Sequence, residues 1–176
     1  MIEEIFLDSV IKRFKECKAL GEKTFDQLND EEMNFQPGEE SNSIAIIIQH
    51  LHGNMRSRWT DFLREDGEKE WRNRDDEFET HQFSKQQLIE KWNEGWKIFL
   101  DTLESLTTND LAKTITIRSQ PLNVVDAINR QMAHYCSHVG QIIYLGKWIK
   151  KSEWESLSIP KNKSNEFNQQ MQQSRH

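Results

Sequence analysis

Residues 123–150 read NVVDAINRQMAHYCSHVGQIIYLGKWIK, and this stretch decides the fold class. Its apolar side chains recur at steps of three and four, which places them on one face of an α-helix. They are Val124, Ile128, Val139, Ile142, Leu145 and Ile149. Asn123 can cap the amino end, with Asp126 at the third position after it. We therefore predict a helix that ends near Lys150.

Three further segments have the same periodicity. Apolar residues step by threes and fours over about 2–28, 44–64 and 85–106. Residues 41–43 offer caps before the second segment, and Ser84 with Gln87 forms a capping-box pattern before the third. The β-branched run at 46–48 could also be a buried strand, but the apolar steps continue for about five turns. Four long amphipathic helices predict an all-α four-helix bundle.

The segments between these helices are less regular. Residues 64–80 are mostly charged around an Asp66-Gly67 turn signal, and we predict a long ordered loop or lid that Trp71 pins. Thr114–Ile117 alternates as a short strand does, and we expect Pro121 to end it. Beyond residue 160 the chain is polar and has little to bury. We predict a bundle over 1–160 and a flexible tail over 161–176.

Composition argues against several kinds of partner. A chain of 176 residues has the length of one domain, and its formal net charge is -6 with acidic and basic residues mixed. Nucleic acid is therefore not an expected partner. The acidic N-terminus and the lack of a long apolar run predict no signal peptide and no membrane partner. Two cysteines, Cys17 and Cys136, without CxxC spacing indicate a cytoplasmic protein.

Histidines are the main candidates for chemistry. His134 and His138 lie four apart on the last predicted helix, so both rings could reach one ion. The pair alone is a weak signal, because such spacing arises by chance. Tyr135 replaces the glutamate of HExxH, and Glu-x-x-His does not occur, which argues against protease and di-iron sites. A third ligand would be His50 or His52, which point about 160° apart, and periodicity does not choose between them.

Several stretches accompany these histidines. They are Ser-Ile-Ala-Ile-Ile-Ile-Gln-His at 43–50, Gly-Asn-Met-Arg-Ser-Arg-Trp at 53–59, Asp-Gly-Glu-Lys at 66–69 and Trp-Arg-Asn-Arg at 71–74. Together with Arg-Gln-Met-Ala-His-Tyr-Cys-Ser-His-Val-Gly-Gln-Ile at 130–142, they resemble the DinB-like bundle family, which includes the bacillithiol transferases. The resemblance covers nearly the whole chain up to about residue 149.

The resemblance implies an up-down-down-up four-helix bundle with a divalent ion held by three histidines. Transferred to this sequence, the ligands are His50, His134 and His138. His52 is outside the family pattern, and we interpret it as a polar spacer or a surface histidine. Three neutral imidazoles with open positions fit zinc or nickel, and manganese and iron are alternatives.

Five polar residues near the histidines are candidates for contacting the ligands or a substrate: Asn54, Arg58, Arg130, Gln131 and Gln141. The three amides could orient ligands or bound water, although ordinary hydrogen bonds between helices explain them equally well. The two arginines could hold a carboxylate, which thiol cofactors of this type carry. We interpret Arg56 as a solvated surface residue, and His81 and His176 as loop and tail residues.

Relatives in the wider family move low-molecular-weight thiols onto electrophiles. The resemblance therefore implies a metal-dependent thiol S-transferase that acts on a small molecule, with the thiol as cosubstrate and a metal-bound water or thiolate as the reacting group. The alternative is a stress-associated metal-binding or interaction protein without turnover, which works as a dimer through an exposed bundle face. A homodimer is the expected assembly.

Overall fold

The computed structural model describes residues 1–173, which are mostly helical, as the predicted all-α class requires. Within this range the helices are α1 (Ile2–Phe25), α2 (Asp30–Asn34), α3 (Ile44–Trp59), α4 (Lys85–Ser105), α5 (Val124–Lys150) and α6 (Ser164–Gln173). Strands β1 (Thr114–Ile117) and β2 (Gln120–Asn123) form one hairpin. The four long helices, α1, α3, α4 and α5, are the four that the periodicity predicted.

An aromatic cluster fills the core between the four long helices. The Phe14 ring lies 4.5 Å from that of Phe99, and the Phe99 ring lies 5.1 Å from that of Tyr135. Trp96 packs against all three rings. Such side chains bury about 150–250 Å² each, so this cluster supplies much of the bundle's hydrophobic stabilisation. Trp148 does not join it, because that side chain is 48% exposed.

Helix α3 ends at Trp59, about five residues before the predicted end. Asp61 adopts a left-handed backbone with φ of 50°, which the α-helix cannot continue through. The Thr102 hydroxyl donates to the Trp59 carbonyl and satisfies one of the free carbonyls at the helix end. Phe62 still packs on the Trp59 ring at 4.4 Å. The apolar pattern therefore continues past the turn although the helix does not.

Helix α1 ends at Phe25, three residues before the predicted end at residue 28, and a short helix that the periodicity did not predict, α2, follows it. The Asn29 side chain accepts from the Glu32 amide at 2.9 Å, and the Glu32 carboxylate accepts from the Asn29 amide at 2.9 Å. This reciprocal capping box starts a new helix. The Asn-x-x-Glu spacing is visible in the sequence, so α2 was predictable.

The β-hairpin differs from the prediction at Pro121. This residue lies inside β2, opposite Thr116, instead of ending the segment. A two-stranded hairpin has only edge strands, so the missing proline N–H needs no partner. Arg118 and Ser119 form the turn with φ values of 53° and 60°. The Asp66 carboxylate accepts from both turn amides at 2.8 Å, which fixes the hairpin to the connection between α3 and α4.

The long connection over residues 60–84 is ordered, but Trp71 does not pin it, because that side chain is 55% exposed. Gly67 is the anchor. Its amide donates to the Thr116 carbonyl and its carbonyl accepts from the Ser57 hydroxyl, both at 2.8 Å. The connection is thus joined to both α3 and the hairpin, and we call it the crossing connection.

The C-terminal helix α6 makes no contribution to the core, since each of its residues is exposed. Across residues 1–173, no helix combines the length and the apolar character needed to cross a membrane. Residues 174–176, which end the predicted tail and include His176, lie outside the described part of the chain.

Candidate metal centre

Helices α3 and α5 bring His50, His134 and His138 together. The Nε2 atom of His134 lies 3.1 Å from that of His50 and 3.2 Å from that of His138. All three ligand atoms lie within 4.8 Å of one another. Two nitrogen ligands of a tetrahedral zinc ion, each at about 2.0–2.1 Å, are about 3.3 Å apart. The cluster therefore has the dimensions of a site that can hold a metal ion.

An oxygen acceptor orients each of the three imidazole rings. The partners of the Nδ1 atoms are Glu77 for His50 at 3.0 Å, Gln131 for His134 at 3.3 Å and Gln141 for His138 at 2.8 Å. Because a neutral imidazole has one N–H, these contacts put the proton on Nδ1. The unprotonated Nε2 atoms then face one another, as metal ligation requires.

The donor set fits a cation for a second reason. Nε2 atoms that carry no proton cannot donate a hydrogen bond to one another, and two lone pairs at 3.1 Å repel. A cation between the His50 and His134 nitrogens would replace this repulsion with two favourable bonds. The arrangement is therefore one that ligand binding stabilises.

Burial keeps the two histidines of α5 neutral. It is the main cause that lowers the pKa of His134 to about 3, and electrostatic repulsion of a protonated His134 by its cationic and imidazole neighbours, His138 first and then His50, Arg130 and Arg72, lowers it further. Burial also lowers the pKa of His138. Both rings are therefore uncharged at neutral pH, and neutral imidazole is the form that binds metal.

Glu77 belongs to this site, and the sequence did not reveal it. It lies in a short 3-10 turn, Asp76–Phe78, of the crossing connection and is only 8% exposed. Burial raises the pKa of its carboxyl, but hydrogen bonds from His50 and Arg72 outweigh this and lower the pKa. Arg72 donates to it from Nε at 2.7 Å and from Nη2 at 2.9 Å. The carboxylate thus stays charged beside the His50 ring.

Gly53 lets Glu77 approach α3. It lies almost one turn after His50, and a Cβ atom at this position would be 2.1 Å from Oε1 of Glu77. No side chain larger than that of glycine fits without displacing the carboxylate. Phe78 then covers the other side of the site, with its ring 4.7 Å from that of His50. The crossing connection therefore forms part of the wall around the histidines.

A cavity of about 350 Å³ adjoins the three histidines. Its wall also includes Asn54, Gln131 and Phe78. Five arginines complete the lining: Arg58, Arg72, Arg74, Arg118 and Arg130. Among residues 1–173, no acidic side chain takes part in this lining. The metal-binding cluster therefore faces a strongly basic compartment.

The predicted polar residues take different positions around the cluster. Gln131 and Gln141 contact histidine rings, as described above. Asn54 makes no hydrogen bond to a histidine of residues 1–173, and its Oδ1 accepts from the Tyr135 hydroxyl at 3.1 Å. Arg58 pairs with Glu68 at 2.8 Å and is buried. Asn54, Arg58 and Arg130 line the cavity together with the three histidines.

Two other residues considered from the sequence lie apart from the cluster. The Nε2 atom of His52 lies 3.0 Å from Glu94 on α4, so this ring faces the neighbouring helix. Arg56 stacks over the exposed Trp71 ring at 5.2 Å. Neither side chain lines the cavity beside the histidines.

The fold and the site together define a helical-bundle protein with a three-histidine cluster that can hold a metal ion. The chain belongs to the family described as protein of unknown function DUF1572, which matches residues 2–163. A comparison with curated proteins gives no match. The family match includes both histidine-bearing helices, α3 and α5, and ends just before α6.

Proposed function

We propose that this chain is a DinB-like protein that binds a divalent metal ion through His50, His134 and His138 and works as a thiol S-transferase on a small molecule. The observation that carries the proposal is that the Nε2 atoms of three imidazole rings converge, while the Nδ1 atom of each ring contacts an oxygen acceptor. Zinc and nickel are the preferred ions, with manganese and iron as alternatives, since all accept imidazole nitrogen.

The proposal includes the up-down-down-up arrangement of this family. The contacts between α3 and α4 support this arrangement. His52 near the middle of α3 contacts Glu94, and Trp59 at the end of α3 contacts Thr102, so residue numbers increase in the same direction along both helices. Two helices joined in this way run in the same direction. A long crossing connection is what such a parallel pair requires.

Contacts of α1 support the same arrangement. Residue numbers in α1 increase while those of their partners in α4 decrease: Lys15 contacts Glu104, and Phe25 contacts Trp92. Between α1 and α5 the residue numbers of the partners increase together: Cys17 contacts Cys136, and Thr24 lies against Gly146. These pairs favour α1 parallel to α5 and antiparallel to α4.

A bound divalent ion supplies a Lewis acid that lowers the pKa of a water or a thiol at its open position. The protein's own residues provide orientation and shielding. Glu77, Gln131 and Gln141 keep the protons on Nδ1, so that the Nε2 atoms stay free for the ion. Phe78 covers the His50 ring and limits the access of bulk water. A low-molecular-weight thiol is the proposed cosubstrate.

The second candidate is a stress-associated metal-binding or interaction protein without turnover. An exposed aromatic surface on α5 favours it: Tyr144 is 70% exposed, and Trp148 is 48% exposed and packs against Phe35. Exposed apolar patches are typical of contact surfaces. A homodimer through this surface, a cytoplasmic location and the absence of nucleic-acid and membrane partners belong to both proposals.

Metal analysis of single-histidine variants tests the site. His138→Ala should lose most of the bound metal while its helical circular dichroism and cooperative melting persist, because the apolar core does not depend on the ion. His52→Ala is the matched control and should keep its metal. Loss of metal in His52→Ala with retention in His50→Ala would overturn the ligand assignment.

A thiol-conjugation screen under anaerobic conditions tests the activity. Wild-type protein reconstituted with zinc or nickel should consume a thiol and an electrophile, and His138→Ala should not. Metal-loaded protein without turnover on any pair would support the second candidate. A helical signal that collapses together with metal loss would show that the ion is structural.

A further inference from the structure

Positive charge is in excess around the cavity beside the histidines. Glu68 pairs with Arg58 at 2.8 Å and with Arg118 at 3.0 Å, and Glu77 pairs with Arg72 at 2.7 Å. Besides these three arginines the lining contains two more, so that two carboxylates stand against five guanidinium groups. The five guanidinium groups therefore exceed the two carboxylates by three positive charges, one of them because Arg58 and Arg118 share Glu68. Clustered like charges repel in a partly buried site, so such an arrangement favours the binding of an anion.

Arg72 has an unused hydrogen-bond donor. Its side chain is 2% exposed, and its Nε and Nη2 atoms both donate to Glu77. The remaining terminal nitrogen, Nη1, is buried and makes no hydrogen bond to residues 1–173, since its nearest carboxylate oxygen, Oε2 of Glu68, lies 3.6 Å away, beyond hydrogen-bond distance. A buried donor without an acceptor costs about 1–3 kcal/mol, and more when it is charged. An oxygen atom of a ligand in the cavity that Arg72 lines would satisfy this N–H.

Arg74 and Arg130 supply the other two charges of this excess. Neither forms an ion pair with a described residue, and Arg74 lies over the Phe78 ring at 5.0 Å. Arg130 precedes His134 by one helical turn, so the guanidinium and the imidazole project from the same side of α5. The two free arginines thus approach the cavity from the crossing connection and from α5, next to the histidine cluster.

We propose that Arg72, Arg74 and Arg130 form a subsite for a small dianion, a dicarboxylate or a phosphate monoester, beside the histidine cluster. Guanidinium groups bind both kinds of oxyanion through paired N–H donors. The charge excess favours a ligand with two negative charges over one with a single charge. A cavity of about 350 Å³ holds a small molecule. The inference deepens the proposed function by naming the charge of its substrate, but anion binding itself does not need the metal.

The test measures anion binding by the full-length, metal-stripped protein, so that a metal ion cannot hold the ligand. The probes are inorganic phosphate, succinate and the neutral succinamide, titrated calorimetrically at low ionic strength. Wild type should bind phosphate or succinate with a Kd below about 1 mM and should not bind succinamide. The tighter of the two anions identifies a phosphate monoester or a dicarboxylate as the ligand.

Arg130→Gln and Arg74→Gln should each weaken that binding by about tenfold or more, since each removes a charged hydrogen-bond donor. Arg13→Gln is the matched control, because Arg13 is an exposed arginine on α1 paired with Glu16, and it should bind as wild type does. Arg74 lies on an exposed segment, so its variant tests the subsite even where Arg130→Gln fails to fold. Equal affinity in the three variants, or no binding of either anion by wild type, would overturn the proposal. If the protein binds metal but no anion, the anion subsite is wrong and the proposed metal site stands. If it binds an anion but no metal, the proposed metal site is wrong and the anion subsite stands.

Discussion

Oε2 of Glu77 lies 3.0 Å from Nδ1 of His50, although the two residues are 27 positions apart and belong to different elements. The crossing connection is therefore part of the histidine cluster and does more than link two helices. The same carboxylate accepts two hydrogen bonds from Arg72, which also lines the cavity. One side chain thus connects the orientation of a candidate metal ligand to the basic wall beside it.

Glu77→Gln should lower the affinity for the metal ion by about 10–100-fold, because a neutral amide holds the His50 N–H less strongly than a carboxylate. Chelator competition measures this change. Glu94→Gln is the matched control, since Glu94 lies at the same 3.0 Å from His52 but away from the cluster. If the two variants bound the metal ion with the same affinity, Glu77 would not have the orienting role that we assign to it.

Gly53→Ala should weaken metal binding with little change in the melting temperature. The added methyl group would meet the carboxylate of Glu77, the end of a side chain, so the carboxylate moves away from His50 while the helix stays in place. Gly140→Ala on α5 is the comparison, because nothing lies within 4 Å of its added Cβ. That variant should gain roughly 0.5–1 kcal/mol in unfolding free energy from helix propensity and keep its metal affinity. Unchanged metal affinity in Gly53→Ala would contradict this account.

The stability of the metal-free protein should fall on acidification below neutral pH. The pKa of His134 is about 3 in the folded state, against 6.5 for a histidine that is free of burial and of neighbouring charges, as in the unfolded chain. Between these two values the unfolded chain takes up a proton that the folded chain does not, so the free energy of unfolding decreases as the pH falls through this range. Chemical denaturation at pH 7.5 and 5.5 should show a smaller decrease for His134→Gln than for wild type. Identical decreases would show that His134 titrates in the same way in both states.

Cys17 and Cys136 should form a disulfide under mild oxidation, because their Sγ atoms lie 3.4 Å apart and Cys136 is exposed. With hydrogen peroxide as the oxidant, the two thiols lose their hydrogens, an S–S bond forms and the peroxide is reduced to two water molecules. Intact mass spectrometry should find monomer lighter by two hydrogen atoms, and a reductant should reverse the change. Cys17→Ser should not form this product, and a wild-type protein that forms only intermolecular disulfides would contradict the prediction.

The amino-acid sequence alone determined the four long helices and the pairing of His134 with His138. Both are local properties: helical periodicity repeats every three or four residues, and an i, i+4 pair shares a face in any helix. The capping box at Asn29 was equally local. The end of α3 could not be predicted in this way, because the apolar spacing continues to Phe62, beyond the left-handed residue Asp61 where the helix has already ended.

Only the tertiary structure decided how the histidine cluster is enclosed. No local pattern distinguishes Glu77 from the other acids of residues 64–80, and nothing in the sequence marks Gly53 as the place where its carboxylate approaches α3. The unused donor of Arg72 likewise exists only once the crossing connection packs beside α5. These contacts join residues that are distant along the chain. They form only when whole helices pack together, and local sequence patterns do not predict that packing.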